Sequence, residues 1–198
     1  MSRDEPVDVP DRPDWEDDEY LDRVAERLMY NFDLEKDVSA DGEPFDLGGE
    51  LRIEREKHFL HPSLNYANHE SNEYLYARRQ DLVSVADLER LADLGSDVAE
   101  DRFELHDEHF STDVTFVLIV PEVSSDVIDF VEEFSGRTLV RWGFQGHYEI
   151  NLIVVAPATE TLAASENADV GRAFRTWEPI EPVENRGLLR RIARTLRE

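Results

Sequence analysis

Val114-Thr115-Phe116-Val117-Leu118-Ile119-Val120-Pro121 is the stretch on which the fold turns. Its apolar and β-branched residues run without polar alternation, as in a central strand buried on both faces, and Pro121 ends the run. Just downstream, Ser124 or Ser125 caps a short helix carrying Val127, Ile128, Val131 and Phe134, with Gly136 closing it and Thr138 to Trp142 forming the next strand. Strand, helix and strand joined by short links predict a βαβ unit, with its two strands parallel and a right-handed crossover.

A closing hairpin follows. With Phe144, Gln145 and Gly146 as a three-residue loop and Gly146 left-handed, Trp142 faces Tyr148, Val140 faces Ile150 and Arg141 faces Glu149. A two-residue loop would set Trp142 against Glu149 and mix the faces, which the pleat disfavours.

Upstream, Tyr20, Leu21, Val24, Ala25, Leu28, Met29 and Phe32 make one stripe at helical spacing, with Asp14 as the expected N-cap. Asp41 to Gly49 reads as turn-rich, leading into a half-buried strand over Glu50 to Phe59, where Leu51 and Ile53 alternate with charged residues. That strand is expected to pair antiparallel with Glu73 to Arg79. Ser84 and Asp87 form a capping box, stapled by Val83 and Leu88, ahead of a helix in which Gly95 is either a kink or a C-cap. After Pro157 a short helix with Val170, Ala173, Phe174 and Trp177 is expected, then a final helix from about Leu188.

These elements predict an α+β fold: a single domain over residues 14–198 with a mixed sheet of about five strands and helices at both ends. Residues 1–13, acidic and carrying Pro6, Pro10 and Pro13, read as a disordered lead with little to bury.

Charge bounds the setting. There are 46 Asp and Glu against 21 Lys and Arg, a formal net charge of -25 on 198 residues, and Lys36 and Lys57 are the only lysines. Such a chain repels itself unless salt shortens the Debye length to ~3 Å, as at 1 M. The acids are spread along the chain, so an adaptation to molar salt fits better than an acidic tail. Without cysteine there is no disulfide framework, thiolate nucleophile or Cys-ligated metal. The N-terminus lacks the apolar core of a signal peptide, and no apolar run approaches the ~20 residues that span a bilayer, so a cytosolic protein with no membrane partner is expected. Strong acidity also disfavours nucleic acid, although counterion release counts for little in molar salt.

All six histidines avoid the expected centres of helices and strands. His58, His61 and His69, near Glu70 and Glu73, and the pair His106 and His109 around Asp107-Glu108 offer ligands suited to a divalent metal such as zinc or manganese. His58-x-x-His61 is one residue too short for the helical His-Glu-x-x-His signature. The plainer reading has turn histidines satisfied by backbone groups and acids, and the two groups are not expected to close around one ion. A second constellation is His147, Glu149 and Asn151 at alternate positions of one strand with Arg141 across from them, which could bring together a base, an acid and an anion-binding group. Its plainer reading is a solvated face with a cross-strand ion pair.

Lys57 follows Glu54-Arg55-Glu56 in a superficial likeness to the acid-x-Lys of restriction-endonuclease-like nucleases, but Arg55 stands where the carboxylate belongs. The arginines of the final helix, Arg186, Arg190, Arg194 and Arg197, suit a docked terminal helix better than a phosphate site. No P-loop, dinucleotide glycine fingerprint or nucleophile elbow occurs.

The composition resembles that of haloarchaeal cytosolic proteins. Asn65 to Arg79 and Gly146 to Pro157 are similar to blocks of an uncharacterised haloarchaeal domain family, a domain of unknown function that brings no activity or catalytic residue with it. The reading is therefore a non-enzymatic binding or interaction domain with a protein or small-molecule partner. A metal-dependent hydrolase using clustered His and acidic residues is the alternative.

Overall fold

The computed structural model describes residues 11–51, 70–102, 109–139 and 147–179. Its elements are α1 (Glu19–Leu28), β1 (Phe32–Ala40), β2 (Glu43–Leu51), β3 (Glu70–Arg79), α2 (Val85–Arg102), β4 (His109–Ile119), α3 (Ser125–Glu133), β5 (Gly136–Leu139), β6 (His147–Ala156), β7 (Thr161–Ala164) and α4 (Gly171–Phe174). The fold is α+β, with one mixed sheet in the order β1-β2-β3-β4-β6-β5 and β7 on the far half of β6. Among the described residues it has seven strands where about five were expected.

β4 and β6 form the centre. Val114 to Val120 is buried on both sides of the sheet, and so is Ile150 to Ala156. This explains why neither stretch alternates. On one face α2 and α3 lay Leu88, Leu91, Val98, Val127 and Val131 over Phe116, Leu118, Ile150 and Leu152. On the other, Trp15, α1 and α4 bring Leu21, Val24, Leu28 and Phe174 against Leu47, Leu75, Val117 and Ile153.

Helix starts follow local chemistry. At α2 the capping box forms as read: the Ser84 amide donates to Asp87 Oδ2 at 3.0 Å and the Asp87 amide to Ser84 Oγ at 3.3 Å. Gly95 lies inside that single helix. A Cβ there would sit 2.9 Å from Ile150 Cγ2 and from Phe116 Cε2, so this glycine permits close helix-to-sheet approach. The N-cap of α1 is Asp18 and not Asp14, since Asp18 accepts from the amides of Tyr20 and Leu21 at 3.1 Å each.

Pairing corrects several expectations. Asp41 to Gly49 is not a turn-rich lead: Asp41 and Gly42 alone make the turn, at φ 45° and 83°, and β2 begins at Glu43. Two left-handed residues match the twist of the strands they join, so β1 and β2 close a hairpin with Ala40 opposite Glu43. β2 pairs antiparallel with β3, as expected of the strands at residue 50 and 73–79, through Leu47 opposite Ala77 and Glu50 opposite Tyr74. The part of that strand expected beyond Leu51 lies outside the described residues, as does the final helix.

The βαβ principle holds, but with other strands. β4 lies parallel to β3 across α2, and parallel to β6 after α3. β5, expected to run parallel to β4, instead occupies the edge and runs antiparallel to β6. Gly136 begins this strand and does not close α3; a Cβ on it would meet Ile150 O at 2.7 Å. The closing hairpin therefore has a different register: Gly136 faces Ile150, Arg137 faces Glu149 and Thr138 faces Tyr148, in place of Val140, Arg141 and Trp142. The slip of four residues is even, so each β6 residue keeps the face expected for it. Only its partner changes.

Candidate functional site

The sheet face beneath α1 and α4 is apolar until it nears the amino ends of β3, β4 and β6, where it turns acidic. Glu73 is level with Asp113, and Asp113 with Glu149, on three adjacent parallel strands. All three lie on the side occupied by Leu75, Val117 and Ile153, separated from the apolar row of Ala77, Val117 and Ile153 by the row of Leu75, Thr115 and Asn151. With strands ~4.8 Å apart, this pleat presses three carboxylates together. His147 lies two residues before Glu149 on the same face, level with Ser111 of β4.

One ligand-capable atom from each of Asp113, His147 and Glu149 lies within 4.8 Å of the other two, and all three residues are half-buried. Three donors each bonded at ~2.1 Å to one ion stand about 3.4 to 3.6 Å apart, so a zinc- or manganese-sized ion would draw this triangle together by up to ~0.7 Å at each donor. One imidazole with two carboxylates is a borderline donor set that suits either metal. Asn167 orients the cluster by donating from Nδ2 to Glu149 Oε1. Oriented carboxylates of this kind are a regular feature of metal sites.

Glu73 completes the row. Burial, then the neighbouring charges of Asp113 and Asp169, push its carboxyl up to about 7. Thus the row holds a proton near neutrality that a solvated glutamate would release. The next row is neutral and buried: Thr115 at 1% exposure stands beside Asn151 at 5%. Asn151 Oδ1 accepts from Ser165 Oγ at 3.3 Å, and that oxygen accepts from the Leu152 amide at 3.1 Å. These bonds tie the segment after β7 to β6 beneath Asn167.

The structure thus brings together His147 and Glu149 of the second constellation and places Asn151 one row deeper, committed to Ser165. Arg141, His58, His61, His69 and His106 lie outside the described residues. His109 opens β4 opposite Glu70, a backbone position on the amino edge of the same sheet. The residue level with Glu149 on the edge strand is Arg137 and not Arg141, for the reason given above. Sequence reasoning missed Asp113, and it set Glu73 beside His69 rather than with His147 and Glu149. A period-two extension of the Val114 strand by one residue would have put Asp113 on the face of Thr115 and Val117, but its level with Glu149 depends on a parallel register that no local signal encodes.

Ligands of open α/β sheets commonly lie beyond the carboxyl ends of the strands, at a point where crossovers change face. Here α2 and α3 cover the same face, and a cavity of about 480 Å³ lies at the carboxyl ends of β3, β4 and β6, lined by Arg79, Asp81, Ile119, Pro121 and Pro157. The histidine-carboxylate cluster lies at the opposite, amino ends.

These features define an α+β domain with an open mixed sheet and a histidine-carboxylate cluster at the amino ends of its parallel strands. The chain belongs to the family whose model is described as Domain of unknown function (DUF8052), which matches residues 16–176. This agrees with the resemblance carried by Asn65 to Arg79 and Gly146 to Pro157. No curated protein and no solved structure matches the chain. Among the described residues no helix is long and apolar enough to cross a membrane.

Proposed function

We propose that this chain is a cytosolic, salt-adapted binding domain whose ligand is a divalent cation of the zinc or manganese class, held by Asp113, His147 and Glu149. The observation that carries the reading is the convergence of three donor atoms within 4.8 Å from two neighbouring strands. Two features support it. The site lies on the rigid centre of the sheet, which fixes donors better than a loop does. Its carboxylates also repel one another, and a cation would offset that repulsion.

The test is calorimetric titration of the untagged full chain, in molar KCl, with manganese and zinc salts. A single stoichiometric site should survive salt that screens diffuse binding to the other acids. His147→Ala and Glu149→Gln should each weaken it by roughly tenfold or more, and Asn167→Ala by less. Absence of a saturable site, or equal affinity in all variants, would remove the reading.

The metal-dependent hydrolase remains the second reading, favoured by one observation: Glu73 joins the carboxylate row and also lines an adjoining cavity. A carboxyl between a cation and a substrate pocket is placed for acid-base work. Turnover of ester or phosphoester probes with manganese, lost in Glu73→Gln while cation affinity persists, would establish it over simple binding.

A further inference from the structure

Beside the carboxylate row lies a cavity of about 740 Å³. That volume falls in the range of small-molecule sites, ~300–1,000 Å³. Its floor is apolar, formed by Leu28 and Phe32 at the junction of α1 with β1, Leu51 at the end of β2, and Val170. Three arginines, Arg27, Arg172 and Arg175, also line it, with Glu73, Asp169 and Glu178. In a chain with 46 acids and 21 basic residues, three and three is a local enrichment of positive charge.

The arginines have different tasks. Arg27 donates to the carbonyls of Arg175, Thr176 and Glu178 at 2.9, 3.2 and 2.8 Å, which builds the wall. Arg175 stands 4.0 Å from Glu178, a loose surface pair. Arg172, on α4, makes no side-chain hydrogen bond or ion pair among the described residues. Its guanidinium is always charged and carries five donors, so an anion at this rim would find a planar, bidentate partner.

We infer that this cavity binds a small amphipathic organic anion, a carboxylate with an aliphatic or aromatic body, whose head meets Arg172 and Arg175 and whose body lies on Phe32 and Leu51. The site goes beyond the cation reading and uses none of Asp113, His147 or Glu149. Charge complementarity selects the anion, and the apolar floor selects the body.

Decanoate and decanol are suitable probes, titrated calorimetrically into the full chain in the same salt. Decanoate should bind at least about tenfold more tightly than decanol, the worth of one charge-assisted hydrogen bond. Arg172→Gln should weaken decanoate about tenfold and leave decanol unchanged, while Arg172→Lys recovers part of the loss. Ala173→Trp should block both probes; because Arg172 is exposed, its substitutions keep the test decisive if the tryptophan variant fails to fold. Equal affinities for the two probes, an Arg172→Gln variant that binds decanoate like the parent, or no binding of either probe would each overturn the inference. Manganese titration of the same samples reports separately on Asp113, His147 and Glu149, so either site can fail without the other.

Discussion

Replacing Glu73 by Gln should stabilise this protein, and by an amount that depends on pH. Glu73 is half-buried beside Asp113, and its carboxyl is pushed from an ordinary 4.5 up to about 7 by burial and then by Asp113 and Asp169. A raised carboxyl binds its proton more tightly folded than unfolded. Its contribution is fully present below 4.5 and is lost as pH rises through about 7. At ~1.36 kcal/mol per pH unit, the gap between those values corresponds to roughly 3 kcal/mol. Discounting for the part of the side chain that water reaches leaves ~2 kcal/mol. Glutamine has nearly the same shape and no charge to desolvate, so near pH ~4 the variant should match the parent, and near pH ~8 it should be more stable by ~2 kcal/mol. Urea denaturation followed by circular dichroism, in molar KCl with a chelator present, measures both curves. The difference between variant and parent cancels the titration of the other acids. A difference that stays flat from pH ~4 to pH ~8 would refute the burial of Glu73 against Asp113, and with it the carboxylate row. If the cation reading holds, adding manganese should reduce the advantage of the variant, because the ion then offsets the charge that glutamine removes.

Three further outcomes are expected. Gly95→Ala should destabilise by ~1–2 kcal/mol in denaturant titrations: the helix-propensity gain of up to ~1 kcal/mol is outweighed by overpacking against Ile150 and Phe116, and a net gain would show that α2 can move off the sheet. Asp18→Ala should cost ~1–2 kcal/mol by removing the α1 cap and the ion pair with Arg79, whereas Asp18→Asn should recover much of the capping part. Burial alone would raise the Asp18 carboxyl, but bonds from Arg79 and the amides of Leu21 and Tyr20 hold it below its ordinary value; thermal melts should therefore show the Asp18→Ala deficit shrink as pH falls through that depressed value. Circular dichroism across a KCl series should show cooperative folding at molar salt and loss of structure at low salt, as expected if the net charge of -25 is an adaptation to molar salt, and an unchanged melting temperature at low salt would contradict it.

Local signals were enough for much of the fold. The unbroken apolar run at Val114 announced a strand covered on both faces, the Ser84 box fixed the start of α2, and the stripe from Leu21 to Met29 identified the buried side of α1. Each of these depends on neighbours within about one turn or one strand. Even the missed hairpin was legible, because Asp41-Gly42 between Ala40 and Glu43 is a strong two-residue turn signal. The face shared by His147, Glu149 and Asn151 was legible too, since strand periodicity does not depend on the partner strand.

What only the tertiary structure decided is which strands are neighbours and at what level. The link from β4 through α3 reads the same whether β5 or β6 lies beside β4, and the hairpin closes with its faces correct at either of two registers four residues apart. That choice was made by packing far along the chain: Gly136 fits against the Ile150 carbonyl, and β6, apolar on both sides, gains more by burial at the centre than the short β5 could. The candidate site follows from the same choice. Glu73, Asp113 and Glu149 are widely separated in sequence and individually unremarkable acids among 46, and they become a cluster because two parallel registers set them level. Sequence determined the charge, the periodicities and the caps, since these are properties of adjacent residues. The meeting of the carboxylates is a property of strand order, which depends on the burial of the whole sheet.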